Sequence, residues 1–207
     1  MDDALQTLID FGRAAATGGL LQSTCGNASL RIDDDTLLIS ASGSTLGCLL
    51  ADDLATVRIS DGARLSGPKP SMETELHRRI YRARPEVRAI LRGQSRAATL
   101  AACLVDPPRC LDFVPEIPAY IRAFAYVPYA LPGSETLAAN VEAAFADTDV
   151  TVVQMVNHGQ VIVGAKPADV LRRGAFFELA CVIATSGQPT RVIPPEDAAQ
   201  LRTYARG

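Results

Sequence analysis

The sequence predicts one α/β domain built on a mixed, largely antiparallel sheet. Three observations predict it. Short β-like runs alternate with stretches of helical spacing along the chain. The early runs are joined only by brief turns, as in a meander. The 207 residues, 48% hydrophobic and 21% charged, suffice for one core, and no internal repeat or low-complexity linker divides them.

The elements follow in order. Leu5, Leu8, Ile9 and Phe11 share one side of a helix over 2–17, which Gly18-Gly19 ends. Strands follow at 28–32, 36–41 and 55–60, separated by Asp33-Asp34-Asp35, by Ser42-Gly43-Ser44 and, after the last, by Asp61-Gly62. Gly67-Pro68-Lys69-Pro70-Ser71 is a rigid connector. Ser71 is placed to cap a helix over 72–83. A strand at 87–91 runs into an Ala-rich helix at 94–104. The Pro-rich segment 105–120 reads as loop. A strand at 124–127, a helix from 133 to 146, and a hairpin of 151–156 and 160–165 about Asn157-His158-Gly159 come next. Helices over 169–184 and 195–205 close the chain.

Composition removes several classes of function. A net charge of −3 disfavours binding to duplex nucleic acid. No apolar run reaches the roughly 18 residues of a membrane span, and the acidic start MDDALQTLID is unlike a signal peptide, so a cytoplasmic protein is expected. The five cysteines (Cys25, Cys48, Cys103, Cys110, Cys181) include no CxxC pair, which argues against a zinc ribbon or a disulfide framework. Cys103 and Cys181 read as small core residues, whereas Cys25 sits in a turn. The only histidines are His77 and His158, so no three-histidine site can form within one chain.

Four segments carry chemistry. In 24-TCGNASLR-31 the Gly-Asn turn can reverse the chain, or its N–H groups and the Asn27 amide can cradle an anion. In 40-SASGST-45, Ser42 and Gly43 offer donors suited to phosphate, or form an ordinary loop. In 69-KPSMETELH-77, Lys69 and Ser71 precede a helix start, where peptide donors favour anions. Glu73 lies in the first turn, where it can answer the helix dipole; it stands one residue short of a capping box from Ser71, so that box does not explain it. In 157-NHG-159, His158 is a turn histidine, structural or functional. A fifth site, Arg92-Gly93-Gln94-Ser95, marks the end of the strand at 87–91, where α/β proteins place reactive groups.

Taken in order, Gly-Asn-x-Ser, Ser-x-Ser-Gly, Lys-Pro-Ser-x-Glu, the Arg-Gly-Gln-Ser turn and Asn-His-Gly resemble the class II aldolase/adducin family over about residues 5–190. The resemblance implies a three-layer α/β/α sandwich around a mixed, mostly antiparallel sheet. It implies a homotetramer with active sites at subunit interfaces and a small anionic metabolite, a phosphorylated or carboxylated sugar-like compound, as ligand. It assigns the phosphate to Asn27, Ser42, Gly43 and Ser71, and the acid/base role to Glu73. It also implies a tyrosine proton donor from a neighbouring subunit; Tyr120, Tyr126 and Tyr129 lie in that region, and none is singled out. Where the family carries a second serine, this chain has Met72.

The family's zinc is held by His-x-His after a strand and by a third histidine before glycine. By similarity these positions are Arg92, Gln94 and His158. Arginine does not ligate and Gln is a poor zinc ligand, so no cofactor is expected, with His158 the one retained ligand position. His77, one helical turn past Glu73, does not readily replace a missing ligand. Arg92 supplies positive charge, either as partner of Glu73 and of a substrate anion, binding beside Gln94, or as a salt bridge filling a vacated cavity. The first implies a metal-independent lyase, or a sugar-phosphate sensor. The second implies a non-catalytic scaffold, as in the adducin head.

Overall fold

The computed structural model describes residues 2–204. In chain order the elements are α1 (Asp2–Thr17), β1 (Asn27–Arg31), β2 (Thr36–Ser40), β3 (Leu54–Arg58), β4 (Arg64–Ser66), α2 (Thr74–Ala83), β5 (Ala89–Gly93) and α3 (Arg96–Ala102). They continue with α4 (Glu116–Ile121), β6 (Ala123–Val127), α5 (Glu135–Ala144), β7 (Val150–Met155), β8 (Gly159–Gly164), α6 (Pro167–Ala184) and α7 (Pro195–Tyr204). The strands form one sheet in the order β4-β3-β2-β1-β5-β8-β7-β6. Every pair is antiparallel except β6 with β7.

Strand alternation sorts side chains to two faces, and both are covered. On one face Ala28, Leu30, Leu38, Leu91, Val152 and Ile162 pack with Leu8 and Phe11 of α1 and with Phe177 and Cys181 of α6. On the other, Leu37, Ile39, Val57, Ile90, Val153 and Val161 meet Leu76 and Ile80 of α2 and Leu137 and Val141 of α5. The result is the three-layer sandwich. Each fully buried Leu, Ile or Phe here contributes about 1.5–3 kcal/mol.

The register of the central strands sets the site. Asn27 of β1 stands opposite Arg92 of β5, and Ser29 opposite Ile90. Arg92 in turn stands opposite Val161, and Gly93 opposite Gln160, on β8. A bridge between Ala41 and Pro70, with Ser42 N–H donating to Lys69 O and Ser71 N–H to Ser40 O, draws the two serine segments together.

Several sequence expectations are corrected. Ser71 does not cap α2: the helix begins at Thr74, and Ser71 is held against β2 with its Oγ accepting from Glu73 N–H. Arg92 lies within β5, because that strand runs two residues past position 91. The loop predicted over 105–120 contains most of α4. The short edge strand β4 carried no apolar pattern, and all three of its residues are exposed. Cys103 is exposed, since α3 turns Ala97, Ala98, Ala101 and Ala102 inward instead, whereas Cys181 is buried. The final helix is described to Tyr204; residue 205 lies outside the described residues.

Candidate functional site

A half-open cavity of about 340 Å³ lies where β1, β5 and the turn before β8 meet the start of α2. Asn27, Ser42, Gly43, Ser71, Glu73, Arg92, Gln94 and His158 all line it, so the structure brings these residues together. Thr24, Cys25, Gly26, Ala41, Met72 and Pro132 complete its wall. Lys69 is exposed and outside it.

Glu73 sits at the N-terminal boundary of α2 and is 3% exposed. Its Oε2 accepts from Asn27 Nδ2 at 2.9 Å and lies 3.1 Å from Arg92 Nε. Its Oε1 lies 3.3 Å from His158 Nε2. The contact with Arg92 is an ion pair rather than a hydrogen bond: the Nε–H is not aimed at the oxygen. Glu73 Oε1, Arg92 Nε and His158 Nδ1 are buried polar atoms without a hydrogen-bond partner among the described residues. Buried polar atoms are rarely left so, and three around one cavity mark a place for a polar ligand.

The turn before β8 is tied to the end of β5. Gln94 Nε2 donates to His158 O, and Arg92 Nη2 reaches the same oxygen at 3.5 Å. Gly159 adopts φ +132, and a Cβ there would stand 2.4 Å from Gly93 O, so only glycine lets these two segments close.

Two residues have roles the sequence did not disclose. The Asn27 amide is turned into the protein: while Nδ2 holds Glu73, Oδ1 lies 2.6 Å from His77 Nε2. His77 is fully buried and does not face the cavity. Glu178 of α6 accepts from Ser95 Oγ and from the N–H groups of Ala97 and Ala98, satisfying the start of α3 just behind Gln94. An acid within the apolar run 176-FFELACV-182 was the available signal. Of the tyrosines, Tyr126 donates to Pro108 O, Tyr120 stacks on Phe176, and Tyr129 is exposed; none lines the cavity.

Burial pushes His77 down to about 3, with the Arg92 cation adding to the effect. Burial and Arg92 also lower His158, opposed by Glu73. Both imidazoles are therefore neutral near pH 7. The consequence for stability has a definite sign. The unfolded His77 binds a proton near its ordinary 6.5, while the folded one resists until about 3. Its contribution is complete above 6.5 and is lost as pH falls through that window, by at most about 1.4 kcal/mol per pH unit. Urea unfolding at pH 7, 6 and 5 should show wild type losing stability faster than His77→Gln; equal slopes would show that His77 is not held neutral.

The residues do not fit the zinc that the resemblance implies. Among the described residues, no three His, Cys, Asp or Glu side chains converge as a metal ion needs. Beside Glu73 stands a guanidinium, which cannot shed its proton to ligate.

The eight-stranded sheet and this charged cleft define an α/β/α sandwich with an acid, a guanidinium and a neutral imidazole at the centre of its sheet. The chain belongs to the family of class II aldolase and adducin N-terminal domains, whose model matches residues 6–185. It is 30% identical over 198 residues to 3-oxo-tetronate 4-phosphate decarboxylase of Escherichia coli K12, covering 93% of this chain and 90% of that one. It is 30% identical over 172 residues to methylthioribulose-1-phosphate dehydratase of Granulibacter bethesdensis, covering 83% and 78%. The structure of YgbL from Klebsiella pneumoniae superimposes with a TM-score of 0.88 at 28% identity, over 97% of this chain and 98% of that one. An L-fuculose 1-phosphate aldolase, 24% identical over 100% and 98% of the two chains, shares the fold with a TM-score of 0.88.

Proposed function

We propose that the protein is a lyase that acts on a phosphorylated sugar acid or ketose, cleaving a bond one carbon removed from a ketone, without zinc. The observation that carries this reading is the buried Glu73–Arg92–His158 group lining the cavity, with polar atoms that lack hydrogen-bond partners among the described residues. The relatives named a decarboxylase and a dehydratase, both of phosphorylated compounds, support the substrate class. Decarboxylation of a 3-oxo acid phosphate is the favoured reaction. Loss of CO₂ breaks the bond between C1 and C2, and the electron pair spreads over C2 and the C3 oxygen as an enolate. The Arg92 guanidinium stabilises that oxygen by charge and hydrogen bonding. The enolate is then protonated at C2 by Glu73, whose carboxyl first takes a proton from solvent, gives it up to carbon and ends ionised. Ser42, Gly43 and Ser71 hold the phosphate.

Exposed Met72, which lines the cavity, and exposed Leu131, next in the chain to the lining residue Pro132, support self-association into the family's tetramer, which light scattering tests. The alternative, a non-catalytic assembly module, is favoured only by the Glu73–Arg92 pair, which partly satisfies itself. Incubation with 3-oxo four-carbon acid phosphates and ketose phosphates, followed by ³¹P NMR and CO₂ release, decides between them. The expected result is turnover that survives chelation, in protein whose zinc content is far below one per chain. Turnover that requires stoichiometric zinc overturns the metal-free mechanism. No turnover with any of these compounds supports the assembly module.

A further inference from the structure

A line of buried polar side chains crosses the face of the sheet under α2. There, Asn27 and Ser29 of β1 meet Glu73, His77 and Tyr81 of the α2 region. Asn27 Nδ2 donates to Glu73 Oε2 at 2.9 Å, and Asn27 Oδ1 lies 2.6 Å from His77 Nε2. His77 Nδ1 lies 2.7 Å from Ser29 Oγ, which lies 2.9 Å from Tyr81 Oη. The spacing has a geometric cause. Four residues of helix advance about 6 Å and two residues of strand about 6.6 Å, so positions 73, 77 and 81 keep step with 27 and 29.

We infer that His77, with its proton on Nε2, is a positioning residue for Glu73: it fixes the Asn27 amide, which pins Oε2 and leaves Oε1 directed at His158. The inference rests on the reading of Glu73 as the group that moves a proton.

The chain admits one set of hydrogen directions. Glu73 Oε2 accepts from Asn27 whether or not the carboxyl holds a proton on Oε1, so the NH₂ of Asn27 faces it and the amide oxygen faces His77. That oxygen requires a donor, which places the proton on Nε2. A neutral ring then accepts at Nδ1, so Ser29 donates there, and Tyr81 donates to Ser29. A doubly protonated ring would break this order, and burial beside Arg92 opposes it. The chain cannot relay protons, because a carboxamide does not pass one along, and burial raises the Tyr81 phenol well above its ordinary value. Its effect is orientation. Bulk stability alone does not require it, since matched apolar groups of the same shape serve about as well as a buried polar pair. The line ends instead on the one carboxylate of the cavity, and Oε2 takes its only hydrogen bond from Asn27.

The test uses the full-length chain and the substrate on which wild type turns over. His77→Leu is expected to lower kcat about 10–100-fold, as small misplacements of reacting groups do, with KM changed less than about threefold. His77→Gln, which keeps an N–H toward Asn27, is expected to restore most of kcat, a rescue that a purely structural role does not predict. ¹⁵N NMR of histidine-labelled wild type is expected to show His77 neutral with its proton on Nε2, whether or not a substrate is at hand. If His77→Leu does not fold, Ser29→Ala and the NMR experiment carry the test, Ser29→Ala being expected to lower kcat without moving KM. A proton on Nδ1, a charged ring at neutral pH, or a folded His77→Leu or Ser29→Ala enzyme with wild-type kcat overturns the inference. Glu73→Gln separates the two levels. If it is inactive while His77→Leu is fully active, only the positioning role fails. If it turns over normally, the role of Glu73 fails and the inference falls with it.

Discussion

Glu73→Gln should lower kcat for the lyase reaction by about 10²–10⁴-fold and leave the fold in place. The substitution keeps the shape of the side chain. Its amide oxygen can still accept from Asn27 Nδ2, and the remaining end still meets His158. What disappears is the capacity to take up and release a proton at Oε1, the carboxylate oxygen that has no hydrogen-bond partner among the described residues. Steady-state kinetics beside a thermal melt checks this. A variant that melts like wild type and retains its kcat would remove Glu73 from the mechanism.

The second large effect is expected at Arg92. Its side chain is 8% exposed and that of Glu73 4%, so Arg92→Met leaves a carboxylate in the interior without its counter-ion. Breaking such a pair costs about 3–5 kcal/mol, which for a chain of this size lowers Tm by roughly 6–20 °C. Adding Glu73→Gln removes the orphaned charge and should recover much of that loss. The coupling between the two sites is thereby measurable as a double-mutant cycle. Activity should respond differently: Arg92→Met loses about 10²–10³ in kcat if the guanidinium stabilises an enolate oxygen, and the double variant recovers none of it. Recovery of both properties together would make Arg92 a structural partner alone.

The turn chemistry of this site was legible in the sequence, because glycine, serine and asparagine at strand ends have few other reasons to cluster. The segments holding Asn27, Ser42, Ser71, Arg92 and His158 converge on one cavity, with Arg92 against Glu73. The layers of the fold were legible as well, through the alternation that sends Leu37 and Ile39 to one face and Leu38 to the other. Features that depend on pairing across long separations were not. Nothing local indicates that Asn27 spends its amide on residues 46 and 50 positions away. Nothing local says that Glu178 reaches back 80 positions to the start of α3. The parallel pairing of β6 with β7 is likewise a property of the assembled sheet. Cys103 was misplaced because a seven-residue helix rich in alanine carries too little contrast to mark its outward side.

The matched stride of α2 and β1 makes the carboxylate intolerant of length changes rather than only of substitutions. Loss or gain of one residue within 27–31 would carry Asn27 and Ser29 to the opposite side of the sheet and set Ala28 or Leu30 against His77. The same indel in the exposed turn at 33–35 would leave that comb of contacts in step. Natural variation in chain length among proteins sharing this arrangement should therefore accumulate outside 27–31 and 73–81, and a scan of single-codon deletions would trace the two combs as adjoining zones of zero tolerance.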